Sequence, residues 1–164
     1  MLKQQLQKDL NDSLKSRDQV KRLVLGMVMT SIKNRELGKR QQLSKTVSDT
    51  GELEKQSQLT DEEILEVIAS EVRKRKESVE QFKAGGREEL AQKEKSEMDI
   101  LLAYLPEQMG EDEIRAEIQK TISELGASGP KDMGKVIGAI MSKLKGRADG
   151  SMVSRLTKEL LVSN

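Results

Sequence analysis

Leu2, Leu6, Leu10 and Leu14 recur every four residues, which places one apolar stripe along a first helix. Asp18 is placed to cap a second helix, whose main stripe is Val20, Leu23, Val24, Met27, Val28 and Ile32, widened by Leu25 and Met29. That width predicts a central helix. From Leu37 to Leu59 the pattern dissolves into Gly, Ser, Thr, Lys and Gln with Gly38 and Gly51 as breakers, which predicts a flexible connection over about residues 37–59. Thr60 and Glu63 then form a capping-box pair. Ile64, Leu65, Ile68, Val72, Val79 and Phe82 follow at helical spacings as far as Gly85-Gly86. A fourth helix, with Leu90, Met98, Leu101, Leu102 and Leu105 inward, closes before Pro106, because the residue preceding proline is pushed out of helical geometry.

Beyond Pro106 the elements shorten. Ile114, Ile118, Ile122 and Leu125 mark a short helix ended by Gly126, and Gly129-Pro130 opens the next, whose stripe is Met133, Val136, Ile137, Ile140, Met141 and Leu144. Asp149-Gly150-Ser151 supplies a turn and cap before Met152, Val153, Leu156 and Leu160. The expectation is therefore an all-α protein. A helical amino-terminal domain of long antiparallel helices (1–106) precedes a small three-helix bundle (107–164).

Composition narrows the chemistry. The 164 residues include no Cys, His or Trp, one Tyr and one Phe. Thiolate nucleophiles, imidazole bases, Cys/His zinc sites and disulfides are thereby excluded, and a core of Leu, Ile, Val and Met suits helix-on-helix packing. No catalytic residue and no metal ligand is nominated. Glu62, Glu63 and Glu66, or Glu88, Glu89 and Glu94, lack the histidine partners of a helical carboxylate metal site, and acidic first turns are explained by the helix dipole. No stretch approaches a membrane span, and MLKQQLQKDL lacks an apolar signal core, so a cytoplasmic protein with no membrane partner is expected.

The formal net charge of +1 hides segregation: residues 1–45 carry +7, residues 46–106 carry −6, and the remainder is neutral. Within that remainder, residues 127–164 hold 7 basic and 3 acidic groups. Arg73-Lys74-Arg75-Lys76 reads as a solvated, ion-paired helix face, since Glu77 and Glu80 follow within a turn. Arg35, Lys39 and Arg40, opposed only by Glu36, are weaker candidates to extend a basic surface. Gly85-Gly86 reads as a helix-helix turn, because no strand and no Gly-rich spacing surround it.

The most informative segment is the helix beginning at Met133. Opposite its apolar face stand Gly134, Gly138, Ser142, Lys131, Lys135 and Lys145. Each glycine costs about 1 kcal/mol relative to alanine in a helix interior, so an exposed pair asks for a reason. One is close approach of a phosphate backbone or other ligand beside the lysines; the other is a packed helix of the same protein.

Asp132-Met133-Gly134-Lys135-Val136-Ile137-Gly138-Ala139-Ile140-Met141 and Lys145-Gly146-Arg147-Ala148-Asp149-Gly150-Ser151-Met152-Val153 resemble the carboxy-terminal domain shared by YqeY-like proteins and the B subunit of the bacterial aspartyl/glutamyl-tRNA amidotransferase. Tyr104-Leu105-Pro106-Glu107-Gln108-Met109, Arg75-Lys76-Glu77-Ser78 and Gly86-Arg87-Glu88-Glu89-Leu90 extend the likeness to the YqeY-like proteins themselves. It covers nearly the whole chain from Thr60 onward and the amino end more loosely. The resemblance implies a tail domain of the kind that grips tRNA. The candidate RNA-contacting residues are Lys131, Lys135, Gly138, Lys143, Lys145, Gly146 and Arg147. This chain departs from the amidotransferase tail at Asp149-Gly150, where Asn-Pro is usual, and its loop around 43–58 is longer than the family's.

Two function classes follow. The first is a tRNA-binding accessory protein to which a label of carbon–nitrogen ligase with glutamine as amido-nitrogen donor attaches through the shared domain alone. The second is a protein-interaction module that docks a partner helix or an amidotransferase subunit through the Gly134/Gly138 face. Amide transfer needs a glutaminase centre and a phosphoryl-transfer site; the chain offers neither motif, and no cofactor is called for.

Overall fold

The structure is a computed structural model that describes residues 1–144 and 146–162. Its elements are all helical: α1 (Leu2–Lys15), α2 (Gln19–Leu43), α3 (Thr50–Ser57), α4 (Asp61–Ala84), α5 (Glu88–Leu102), α6 (Glu111–Leu125), a short 3-10 turn (Pro130–Asp132), α7 (Met133–Leu144) and α8 (Gly150–Val162). They form two compact units, Met1–Tyr104 and Leu105–Asn164. No described helix is long and apolar enough to cross a membrane.

In the first unit, α4 and α5 form an antiparallel pair. The capping box forms as the sequence predicts: Thr60 Oγ1 accepts from the Glu63 amide at 3.2 Å, and Glu63 Oε2 accepts from the Thr60 amide at 2.7 Å. Glu63 also takes a bond from Lys39 at 2.8 Å, and this partner foremost holds its carboxyl below the usual range despite burial. At the other end, the Arg87 amide donates to Phe82 O at 2.8 Å and the Gly86 amide to Lys83 O at 3.0 Å. This is a Schellman closure, and it requires the left-handed φ of 68° at Gly86.

Three sequence expectations need correction here. The connection expected over 37–59 is largely helical: α2 runs through Gly38 to Leu43, and α3 follows with Asp49 Oδ1 capping the Glu52 amide at 2.7 Å. Tertiary ties override glycine's propensity penalty. Glu36 accepts from the Leu59 amide at 3.2 Å, Lys39 donates to Gln58 O at 3.3 Å, and Leu53 and Leu59 are buried. The α2 stripe is also split. Val24, Leu25, Val28 and Ile32 are buried, whereas Val20, Leu23 and Met27 stand 46%, 53% and 47% exposed. Leu14 and Leu90 face solvent too, while Ala91 takes the inward place beside Leu90.

The Arg73–Lys76 run is also not uniformly solvated. Arg75 is buried between two buried carboxylates, Glu71 Oε2 at 3.3 Å and Glu97 Oε2 of α5 at 3.4 Å. Arg75 therefore joins α4 to α5 by charge, and Ser31 of α2 donates to Glu71 at 3.3 Å.

The second unit packs Ile114, Ile118 and Ile122 of α6 against Val136, Ile140 and Leu144 of α7 and Val153, Leu156 and Leu161 of α8. Gly126, with φ 61°, closes α6 in the same Schellman manner, the Ala127 amide donating to Ile122 O at 3.0 Å. Asp149 caps α8: its Oδ1 accepts from the Ser151 amide and hydroxyl, both at 2.8 Å. Arg115 and Arg155 alternate with Glu111 and Glu159 in a ring of ion pairs, 3.0–3.5 Å long, between α6 and α8. The Arg155 partner, foremost, holds the Glu111 carboxyl below its usual range.

Candidate nucleic-acid interface on the tail unit

The alternation of apolar and polar positions in α7 decides what the tail unit shows to solvent. With Val136, Ile140 and Leu144 committed to the core, the 100° helical step turns Gly134, Lys135, Gly138 and Ser142 outward, and all four are exposed. A methyl group added at Gly134 or Gly138 meets no atom within 4 Å. Of the two readings of this glycine pair, internal helix packing is therefore removed: both glycines face open space. Ser142 Oγ donates to Gly138 O at 3.0 Å, so the strip satisfies its own polar groups and stays flat.

The other nominated residues separate into three groups. Lys131, on the 3-10 turn, and Lys135 are exposed, with no side-chain partner among the described residues. Lys143 is committed elsewhere: its Nζ lies 2.6 Å from Glu124 Oε2 and 3.2 Å from Thr121 Oγ1 of α6. This partner, foremost, lowers the Glu124 carboxyl from its ordinary value. Lys145 lies outside the described residues.

Gly146 and Arg147 belong to a braced turn. Gly146 has φ 81°, a left-handed value that suits glycine. Its carbonyl accepts from Gln108 Nε2 at 2.9 Å, and the same amide reaches Pro106 O at 2.8 Å. The Met109 amide donates to Arg147 O at 2.8 Å, and Arg147 Nε donates to Glu107 O at 3.3 Å. The segment Pro106–Met109 thus acts as a splint for the turn after α7. Composition gives no hint of this role for Gln108. The signal available in the sequence was that Leu105–Met109 and Lys145–Val153 both belong to the family-like motifs.

In chemical terms this face presents Lys131 and Lys135 without side-chain partners among the described residues, a strip from Gly134 to Ser142 about 12 Å long at the helical rise, and, on a fixed turn, the exposed Arg147. In the first unit, of the basic extension expected at Arg35, Lys39 and Arg40, the first two are engaged by Glu66 and Glu63 of α4, while Arg40 is exposed.

The sequence model of the family described as "Yqey-like protein" matches residues 3–161. Three fungal relatives share the name "Altered inheritance of mitochondria protein 41, mitochondrial". That of Pyrenophora tritici-repentis is 34% identical over 62% of this chain and 58% of its own length. The Lachancea thermotolerans protein is 27% identical over 90% and 74%, and the Candida glabrata protein 26% identical over 62% and 48%. For two of the three, this chain spans only about half of the relative's length. The shared name overturns the cytoplasmic expectation. That expectation rested on the lack of an apolar signal core, a test for secretory leaders that has no bearing on mitochondrial proteins, whose targeting segments are amphipathic and Arg-rich.

Proposed function

Because the chain belongs to the family of YqeY-like proteins, we propose that it is a tRNA-binding accessory protein whose tail unit grips the phosphate backbone and which supplies no catalytic centre of its own. The observation that carries this reading is the solvent-open strip of α7, where Gly134 and Gly138 leave space beside the unpaired Lys135. Glycine lets a sugar-phosphate backbone approach the helix, and Lys131, Lys135 and Arg147, all exposed on the same unit, supply positive charge for it. With one Tyr and one Phe in the chain, base stacking has little to draw on, so recognition rests on charge and shape.

Filter binding of tRNA across a salt series tests it, with mitochondrial tRNA included because the named relatives are mitochondrial. Three phosphate contacts predict a slope of roughly −3 in log K against log salt. Replacing Lys131, Lys135 and Arg147 together by Ala should remove most of that slope. Undetectable binding at low salt, or a slope that the triple variant does not alter, overturns the reading.

A second reading rests on the same open glycines: the strip docks a partner helix, such as one from an amidotransferase subunit. Gly138→Leu separates the two. Loss of tRNA affinity supports the first; intact tRNA affinity with loss of binding to purified amidotransferase supports the second.

A further inference from the structure

The outward half of α2 is the other unexplained surface. Val20, Leu23 and Met27 follow one another at spacings of three and four, each about half exposed. Beside them, between α2 and α4, runs a groove of about 640 Å³ whose lining includes Leu23, Gly26, Met27 and Thr30 from α2 and Glu71 and Lys74 from α4. Gly26 sits in the helix interior, and an added methyl there meets nothing within 4 Å. Among the described residues no neighbour requires a glycine at this position. The groove wall is held in place from beneath, because Arg75 lies 3.9 Å from Met27 Sδ while pairing with Glu71 and Glu97.

One cation on each bank, Arg22 of α2 and Lys74 of α4, lines the groove. Arg17 and Lys21 stand near the start of α2. None of Arg17, Lys21 and Arg22 has a side-chain partner among the described residues. Lys74 on the opposite bank is 64% exposed and bonds Glu71, which is buried.

We propose that this groove docks an acidic amphipathic helix of a partner protein. A trough between two helices with apolar residues at helical spacing is the shape that receives a third helix, and Gly26 allows its backbone to come close. Arg22 and Lys74 on the two banks of the groove favour a helix whose apolar stripe is flanked by Glu and Asp. A second copy of the chain would offer this same surface, whose lining carboxylate, Glu71, is buried and paired with Lys74, and a bilayer would meet a wall containing Glu71. The surface lies in the first unit and is independent of the α7 strip.

The test titrates the whole chain with two fluorescein-labelled helical peptides that share a Leu stripe at i, i+3, i+4 and i+7, one flanked by Glu and the other by Lys. The Glu-flanked peptide should bind, and the Lys-flanked peptide should bind at least about tenfold more weakly. Gly26→Leu, which fills open space and leaves the helical circular dichroism intact, and Arg22→Glu should each weaken the Glu-flanked peptide by about tenfold or more. Lys135→Ala should leave peptide binding unchanged and thus separates this result from the tRNA assay. The proposal is overturned if neither peptide binds, if the two bind equally, or if both variants bind like the parent. It is equally overturned if Gly26→Leu dissociates a dimer seen by sedimentation, or abolishes flotation with anionic vesicles.

Discussion

Gln108 Nε2 donates to Gly146 O at 2.9 Å across 38 residues of sequence, and this bond ties the segment after Pro106 to the turn that carries Arg147. Gln108→Ala removes one bond to Gly146 and one to Pro106, at a cost of about 1–2 kcal/mol, and frees the turn. The expected result is weaker tRNA binding with the core of the tail unit intact. Gln108→Glu should fare worse in the binding assay, since it loses the donor and adds negative charge beside Arg147. A Gln108→Ala variant with unchanged tRNA affinity would show that the splint has no part in recognition.

Lys143 and Lys135 stand eight residues apart on one helix but differ in their partners. Lys143 is held by Glu124, whereas Lys135 has no side-chain partner among the described residues. Lys135→Ala should reduce the magnitude of the salt slope by about one unit and leave the melting temperature unchanged. Lys143→Ala should do the reverse: little change in slope, and a loss of stability of no more than about 1 kcal/mol, as befits a surface ion pair. Equal effects on the slope would mean that RNA pulls Lys143 away from Glu124.

Arg75 lies between the buried carboxylates of Glu71 and Glu97. Arg75→Leu leaves both without it, and breaking a buried pair from one side costs about 3–5 kcal/mol. Desolvation acts first on Glu71, raising its carboxyl, but Lys74 and Arg75 outweigh it and hold the group below its ordinary value. A depressed carboxyl stabilises the fold above its unfolded value and loses that contribution as pH falls. Urea denaturation between pH 7 and pH 3 should therefore show parent and Arg75→Leu converging toward acid. Parallel pH profiles would show that the pair contributes nothing ionic.

The sequence made helix boundaries legible wherever the chemistry is local. The Thr60–Glu63 box and the Gly85-Gly86 turn depend on residues within a few positions of one another, and both form as expected. The α7 face was legible for the same reason. What escaped depends on distant residues. Periodicity groups Leu23 and Met27 with Val24 and Val28, but which part of a wide stripe is covered is decided by where other helices lie. The 37–59 segment looks like a linker because it holds few apolar residues; the bonds that fasten its end, Glu36 to Leu59 and Lys39 to Gln58, join residues 23 and 19 positions apart. Arg75 was hidden among neighbours of like charge, and its acceptor Glu97 lies on the next helix.

Tyr104 closes the end of the first unit by donating its hydroxyl to Asp9 Oδ2 of α1 at 2.6 Å. Burial first, then the Asp9 carboxylate, raise the phenol above its ordinary value. A group whose pKa is raised by folding contributes fully below its unfolded value of about 10 and loses that contribution as pH rises through the folded value. Tyr104→Phe keeps the ring and removes the bond, so at pH 7 it should lower the stability of the first unit by about 1–2 kcal/mol. Between pH 6 and 9 that difference should stay flat. Above pH 10 the parent's stability should fall more steeply than the variant's, because unfolding then releases a proton that only Tyr104 holds. Urea midpoints for the two proteins measured from pH 6 to 11 decide the matter. A difference near zero from pH 6 to 11 would mean that the hydroxyl bond is replaced by water at no cost, and that Tyr104 acts through its ring alone.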